Sequence, residues 1–148
     1  ALNGANQKGV AYEYITTSNL YWNYFVLDKL RTMPFTDEEL EKCTVKKGDL
    51  LVCEGGDIGR SALWNFDYDI RIQNHIHRLR PYAPLGSLFF YYVLYLYKHI
   101  GLIGGKGIGI QGLSSNALHR LLLPLPSIAE QERIVDKIEF VIASITRR

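Results

Sequence analysis

The sequence predicts an α+β fold: one compact domain with a mixed or antiparallel β core, a buried tyrosine-rich helix and a protruding C-terminal helix of coiled-coil type. Three observations predict it. Between Val10 and Leu79, short apolar runs are separated by turn residues, as in a set of short strands. Leu88 to Tyr97 is an unbroken apolar run carrying four tyrosines. From Ile134 to Ile145, apolar residues recur at heptad spacing. At 148 residues the chain is about one domain's worth, with a globular part over 1–126 and a helix over 127–148.

Val10 to Thr16 reads as the first strand, closed by the polar turn Thr17-Ser18-Asn19. The aromatic run Tyr21 to Leu27 reads as a second strand or an irregular buried segment, and Pro34 as a chain break. Thr36 with Glu39 has capping-box spacing and opens a short helix. Its acidic patch (Asp37, Glu38, Glu39, Glu41) would repel phosphates, so that face should turn from any nucleic acid; a merely solvated helix predicts the same residues. Lys46-Lys47-Gly48-Asp49 is a turn feeding the apolar strand Leu50-Leu51-Val52-Cys53, and Arg60 to Phe66 resumes a strand pattern after Gly55, Gly56 and Gly59. Ile70 to Leu79 alternates, with Ile70, Ile72 and Ile76 on one face and Arg71, Gln73, His75 and His77 on the other: one half-buried strand.

Ser87 reads as the N-cap of a helix through Lys98 that is apolar on nearly every side and therefore deeply packed. Gly101 to Gly112, with six glycines, reads as a mobile loop, followed by a short helix from about Asn116 to Leu122 capped by Ser114 or Ser115. Leu123-Pro124-Leu125-Pro126 ends it. Ser127 and Glu130 form a second capping-box pattern, and Ile134, Ile138, Val141 and Ile145 then follow at spacings of four, three and four. That seam is narrower than the apolar face of a helix lying on its own core, so it reads as a partner-docking surface.

Net charge is +2, from 17 basic and 15 acidic residues, which is not the footprint of a strongly basic nucleic-acid binder. Any such role rests on where the charges sit. Cys43 and Cys53 fit no zinc or redox spacing and read as free thiols in a reducing compartment. No secretory leader is read, and Leu88 to Tyr97 is half the roughly 20 residues a membrane span needs. The expectation is a soluble, cytoplasmic protein with no membrane partner.

The chemical motifs are thin. Gly107 to Gly112 matches G-x-G-x-x-G literally, but a helix precedes it where the dinucleotide fingerprint needs a strand, and no acidic residue follows at the right distance. His75-x-His77 offers two imidazoles but no clear third ligand, so no metal site is assigned. There is no G-x-S-x-G, no H-E-x-x-H and no Pro-Pro pair of an amino-methyltransferase. No catalytic residue and no cofactor are expected for the chain itself.

The order of signals resembles a known family. Tyr14-Ile15, Lys47-Gly48-Asp49-Leu50-Leu51-Val52, Gly56-Asp57-Ile58-Gly59-Arg60, Asn74-His75-Ile76 and Leu79-Arg80-Pro81 resemble the target-recognition domain of type I restriction-modification specificity (S) subunits. Leu123-Pro124-Leu125-Pro126 followed by Glu130-Gln131-Glu132-Arg133-Ile134-Val135 is similar to the start of that family's spacer helix, the most specific of the matches. The resemblance spans Tyr12 to Ile145. A full S subunit carries two such domains and two helices, where this chain has one of each. The glycine- and proline-containing opening usual before the first strand is replaced by Ala1 to Gly9.

The resemblance implies a DNA target-recognition domain over 1–126 and the start of a spacer or dimerisation helix over 127–148. It implies a module that reads half of a bipartite double-stranded DNA site and directs partner methyltransferase (modification) subunits and, through them, restriction subunits. S-adenosylmethionine, ATP and Mg would belong to those partners. A homodimer through the C-terminal helix is a further pairing it admits. Base-edge readout draws on Arg, Lys, Asn and Gln presented on polar loops. The DNA-binding candidates are Thr17, Ser18, Asn19, Arg60, Gln73, His75, Lys106 and Gln111; the partner-docking candidates are Ile134, Ile138, Val141 and Ile145. Competing readings are a coiled-coil interaction module without a DNA role, the recognition domain of a fused restriction-methylation enzyme, and an enzyme using the glycine loop for a nucleotide.

Overall fold

The computed structural model describes residues 8–82, 86–104 and 112–146. β1 (Val10–Ile15) pairs antiparallel with β4 (Arg31–Phe35) and parallel with β8 (Ile70–Ile72), and β5 (Thr44–Val45) completes a four-stranded sheet in the order β4-β1-β8-β5. A second sheet places β6 (Leu50–Cys53) between β7 (Ser61–Leu63) and β9 (Ile76–Leu79), antiparallel on both sides. β2 (Leu20–Tyr21) and β3 (Tyr24–Phe25) form a small hairpin. The helices are α1 (Asp37–Cys43), α2 (Ser87–His99), α3 (Ser115–His119) and α4 (Ile128–Thr146). None among the described residues is long and apolar enough to cross a membrane. The expected α+β architecture is the one observed.

β6 explains the layering. All four of its residues are buried, and because side chains alternate across a strand they feed two cores. Leu51 and Cys53 join Ile15, Val45, Trp64 and Ile72 in the core shared with the four-stranded sheet. Leu50 and Val52 join Tyr91, Leu94, Ile103 and Leu113 beneath α2. A continuous apolar run is what a strand covered on both faces requires. The turn before it is held by Asp49, only 2% exposed, whose carboxylate accepts from the Lys46 N–H at 2.7 Å and from Arg80 at 2.7 and 2.5 Å.

α1 carries the expected capping box: Thr36 Oγ1 accepts from the Glu39 N–H, and the Glu39 carboxylate accepts from the Thr36 N–H at 2.9 Å. Three expectations are corrected. Pro34 does not break the chain; it lies in β4, and an edge strand is where a sheet accommodates a missing N–H. Ile70 to Leu79 is two strands in two sheets, because the backbone turns at His75, which adopts φ 74°. The alternation still reports burial, since Ile70, Ile72 and Ile76 share one core. α2 starts at Gly86 without a side-chain cap rather than on a Ser87 hydroxyl, and it is buried through Phe89, Tyr91, Val93 and Leu94 while Leu96 is 53% exposed.

Candidate nucleic-acid interface

Strand pairing gathers three turns on one rim of the domain. β1 and β8 run parallel with Ile15 opposite Ile72, so the chain leaves both strands in the same direction. The Gln73 N–H donates to the Ile15 carbonyl at 3.2 Å. In the other sheet Cys53 lies opposite Ile76, and the Glu54 N–H donates to the His75 carbonyl at 2.8 Å. The turn after β1, the glycine-containing loop from β6 to β7 and the turn from β8 to β9 therefore adjoin. A side chain on Gly55 would touch His75, and one on Gly56 would reach Thr17 Oγ1. Six of the eight DNA-binding candidates (Thr17, Ser18, Asn19, Arg60, Gln73 and His75) stand on these turns. Lys106 and Gln111 lie outside the described residues.

The rim residues divide by what occupies their polar atoms. Asn19 holds its own turn: Oδ1 accepts from the Thr16 N–H at 2.9 Å and from Thr16 Oγ1 at 3.1 Å, and Nδ2 donates to the Val26 carbonyl at 2.9 Å. Arg60 bridges two turns, donating from Nη2 to the Thr17 carbonyl at 2.6 Å while its guanidinium sits 4.8 Å over the Tyr21 ring. Ser18 Oγ lies 2.8 Å from Thr16 Oγ1. His75 is exposed, and Gln73, half-buried, lines a groove with Asn74, His77, Arg78 and the α1 residues Glu39 and Lys42. Of the acidic residues of α1, Glu39 lines this groove beside Lys42, and its carboxylate is engaged by the Thr36 N–H.

Two contacts join ionisable groups at or beside the rim. Lys98 pairs with Asp57 at 2.9 Å, and His77 Nε2 lies 3.8 Å from Glu54 and 2.6 Å from the Leu113 carbonyl. Burial pushes the Cys53 thiol up against the opposing pull of Arg60, and burial likewise raises Cys43. Both stay thiols at neutral pH, and neither is an activated nucleophile. Among the described residues no group of three or more His, Cys, Asp or Glu could hold a metal ion. The described residues flanking 105–111 come close to the rim as well. A Cβ on Gly104 would stand 3.0 Å from Lys98 Nζ and 3.8 Å from Ile58 Cβ, and Leu113 meets His77. Gly59, at φ 83°, fits here only because it lacks a side chain, since a Cβ would meet Ile103 Cγ2 at 2.8 Å.

The partner-docking candidates do not form one uniform seam. Ile134 and Ile138 are half-buried and, with Ile142, line a groove against Tyr92, Tyr95 and Leu96 of α2. Val141 is 43% and Ile145 67% exposed, beside Phe140 at 69%. The inner half of α4 therefore faces α2 of its own domain across that groove, while the outer half is exposed. The Tyr92 hydroxyl donates to the Glu139 carboxylate; burial and that bond push its pKa above the usual range, so it remains a donor. Ser127 Oγ accepts from the Glu130 N–H at 3.3 Å, while the Glu130 carboxylate pairs with Arg133 rather than closing a capping box. Sequence reasoning missed Gln131, which is 1% exposed and bonded on both sides of its amide. A polar residue in a helical first turn carries no signal of burial.

Residues 3–148 match the family described as Type I restriction modification DNA specificity domain. The chain belongs to this family. The Escherichia coli Type I restriction enzyme EcoBI specificity subunit is 26% identical over 117 residues, covering 72% of this chain and 23% of that protein. Two solved structures share the fold. The HsdS subunit from Thermoanaerobacter tengcongensis aligns with a TM-score of 0.67 at 20% identity, over 96% of this chain and 33% of that one. A chain in the structure described as "Structural basis underlying complex assembly and conformational transition of the type I R-M system" aligns with a TM-score of 0.65 at 21% identity, over 96% of this chain and 34% of that one. This specificity domain thus spans about a quarter to a third of the relatives it matches.

Proposed function

We propose that this specificity domain reads one half of a bipartite double-stranded DNA site through its three-turn rim, and that it performs no chemistry itself. One observation carries the reading: two independent strand pairings bring Thr17, Ser18, Arg60, Gln73 and His75 onto one surface. Backbone bonds and the Asn19 and Arg60 contacts brace that surface, so the remaining polar side chains meet base edges without the cost of ordering the loops. Thr17, Ser18, Gln73 and His75 supply the readout, with Gln111; Lys106 supplies phosphate contact. Asn19 and Arg60 serve mainly as the frame. Modification subunits dock on the exposed outer half of α4 (Val141 and Ile145), and restriction subunits join through them. S-adenosylmethionine, ATP and Mg act in those partners. The domain works in the cytoplasm, where the free thiols stay reduced.

Duplex binding at several salt concentrations tests this. Non-specific affinity in the range of about 10⁻⁴ to 10⁻⁶ M, weakening as salt rises, is expected at physiological salt. Lys106→Ala should weaken all sequences about equally, because a phosphate contact carries no sequence information. Affinity that is undetectable at low salt would leave a protein-interaction role for α4 and none for DNA.

A further inference from the structure

Gln131 is the buried residue of α4, and its amide is satisfied on both sides. Oε1 accepts from the Gly86 N–H at 2.9 Å, and Nε2 donates to the Pro126 carbonyl at 2.9 Å. Gly86 is the N-cap of α2 and Pro126 ends the linker into α4, so one side chain ties three segments at a single point. The approach is close: a Cβ on Gly86 would lie 3.0 Å from Gln131 Oε1 and 3.6 Å from its Cβ. Further along, Glu139 accepts from the Tyr92 hydroxyl. Beyond it, Phe140 to Thr146 is exposed. α4 is tied to the domain at Gln131 and again at Glu139, and it is exposed beyond.

We infer that Gln131 is a positioning residue that fixes the angle at which α4 leaves the domain, and through it the half-site spacing the assembled protein accepts. The spacing part rests on the half-site reading above. Leverage makes the angle matter. At 1.5 Å per residue Thr146 lies about 22 Å along α4 from Gln131, so a tilt of about 10° at Gln131 moves Thr146 about 4 Å. One base-pair step along a duplex is about 3.4 Å. A small loss of angular control at Gln131 is therefore worth a whole step of spacing.

The test uses two variants that attack the joint from opposite sides. Gln131→Met keeps length and loses both hydrogen bonds; Gly86→Ala keeps Gln131 and crowds it. Residual dipolar couplings of this chain report the orientation of α4 against β6 and β9, with unfolding curves to check that each variant folds. The orientation is expected to shift or broaden in both, and an unchanged orientation in the folded variants overturns the inference. Should Gln131→Met fail to fold, Gly86→Ala decides alone. In the full-length protein with its methyltransferase partners, duplexes with the gap between half-sites changed by one base pair are then compared. The variants should lose between about 2- and 30-fold of the wild-type discrimination against wrong spacing. Discrimination against base changes within a half-site should remain, which a merely destabilised fold would not spare. A changed orientation with intact spacing discrimination overturns the spacing part. Wild type that ignores half-site sequence defeats the DNA reading instead, while the couplings still decide the role of Gln131.

Discussion

The rim and the C-terminal helix face solvent for opposite reasons. On the rim, backbone bonds between turns carry the structure, and the exposed side chain of His75 is surplus to it. On α4, the side chains of Gln131, Ile134 and Ile138 carry the docking, and what is left over is apolar surface: Phe140, Val141, Ile142 and Ile145. Surplus polar groups on a rigid frame suit recognition that must vary from one relative to another without disturbing the fold. Surplus apolar area on a protruding helix suits association. The two proposed functions would sit on surfaces that can change independently.

That independence breaks most visibly within α4. Ile138→Asp should cost about 2 kcal/mol in chemical unfolding, since it buries a charge where apolar area was covered. Ile145→Asp should stay within about 0.5 kcal/mol, as exposed substitutions do, while still abolishing association. Equal costs at the two positions would mean that α4 is docked along its full length. On the rim, Asn19→Ala should cost about 1 to 2 kcal/mol because three hydrogen bonds go with it. His75→Gly should leave stability unchanged or raise it by up to about 1 kcal/mol, because φ 74° is a region glycine enters freely. A large loss at His75 would place it in the frame with Asn19.

The smallest effect is a pH dependence at the start of α4. The Arg133 guanidinium holds the Glu130 carboxyl below the ordinary glutamate range. The folded pKa lies under the unfolded one, so the contribution is present above the unfolded value and fades as pH falls through the folded one. Amide shifts of the first turn of α4 should therefore change only on the acid side of the usual glutamate range, and Glu130→Gln should flatten that change.

How much of this the sequence discloses follows from range. Thr36 and Glu39 announce α1 because a capping box is local chemistry, and Leu50 to Cys53 announces a doubly covered strand because burial on both faces leaves no polar residue. The break at His75 is silent, since a left-handed turn at a histidine lacks the glycine that normally marks one. The rim itself is silent for a different reason. It exists because β1 lies parallel to β8, a pairing between residues 14–15 and 71–72 that no local pattern encodes. The candidate residues were legible one by one as polar turn positions, while the role of Asn19 and Arg60 in bracing the turns needed coordinates. The split of α4 was hidden because heptad spacing looks the same whether its cover comes from within the domain or from outside.

Whether the rim reads sequence is decided by selection from randomised duplexes. Wild type and the variant Thr17→Ala/Gln73→Ala/His75→Ala, both checked for an unchanged unfolding midpoint, are carried through the same rounds. Wild type should enrich a defined half-site, and the variant should lose preference at two or more of its positions, each worth about 1 to 3 kcal/mol of discrimination. Enrichment of the same half-site with the same strength by both proteins would contradict it, and would move base readout off this rim.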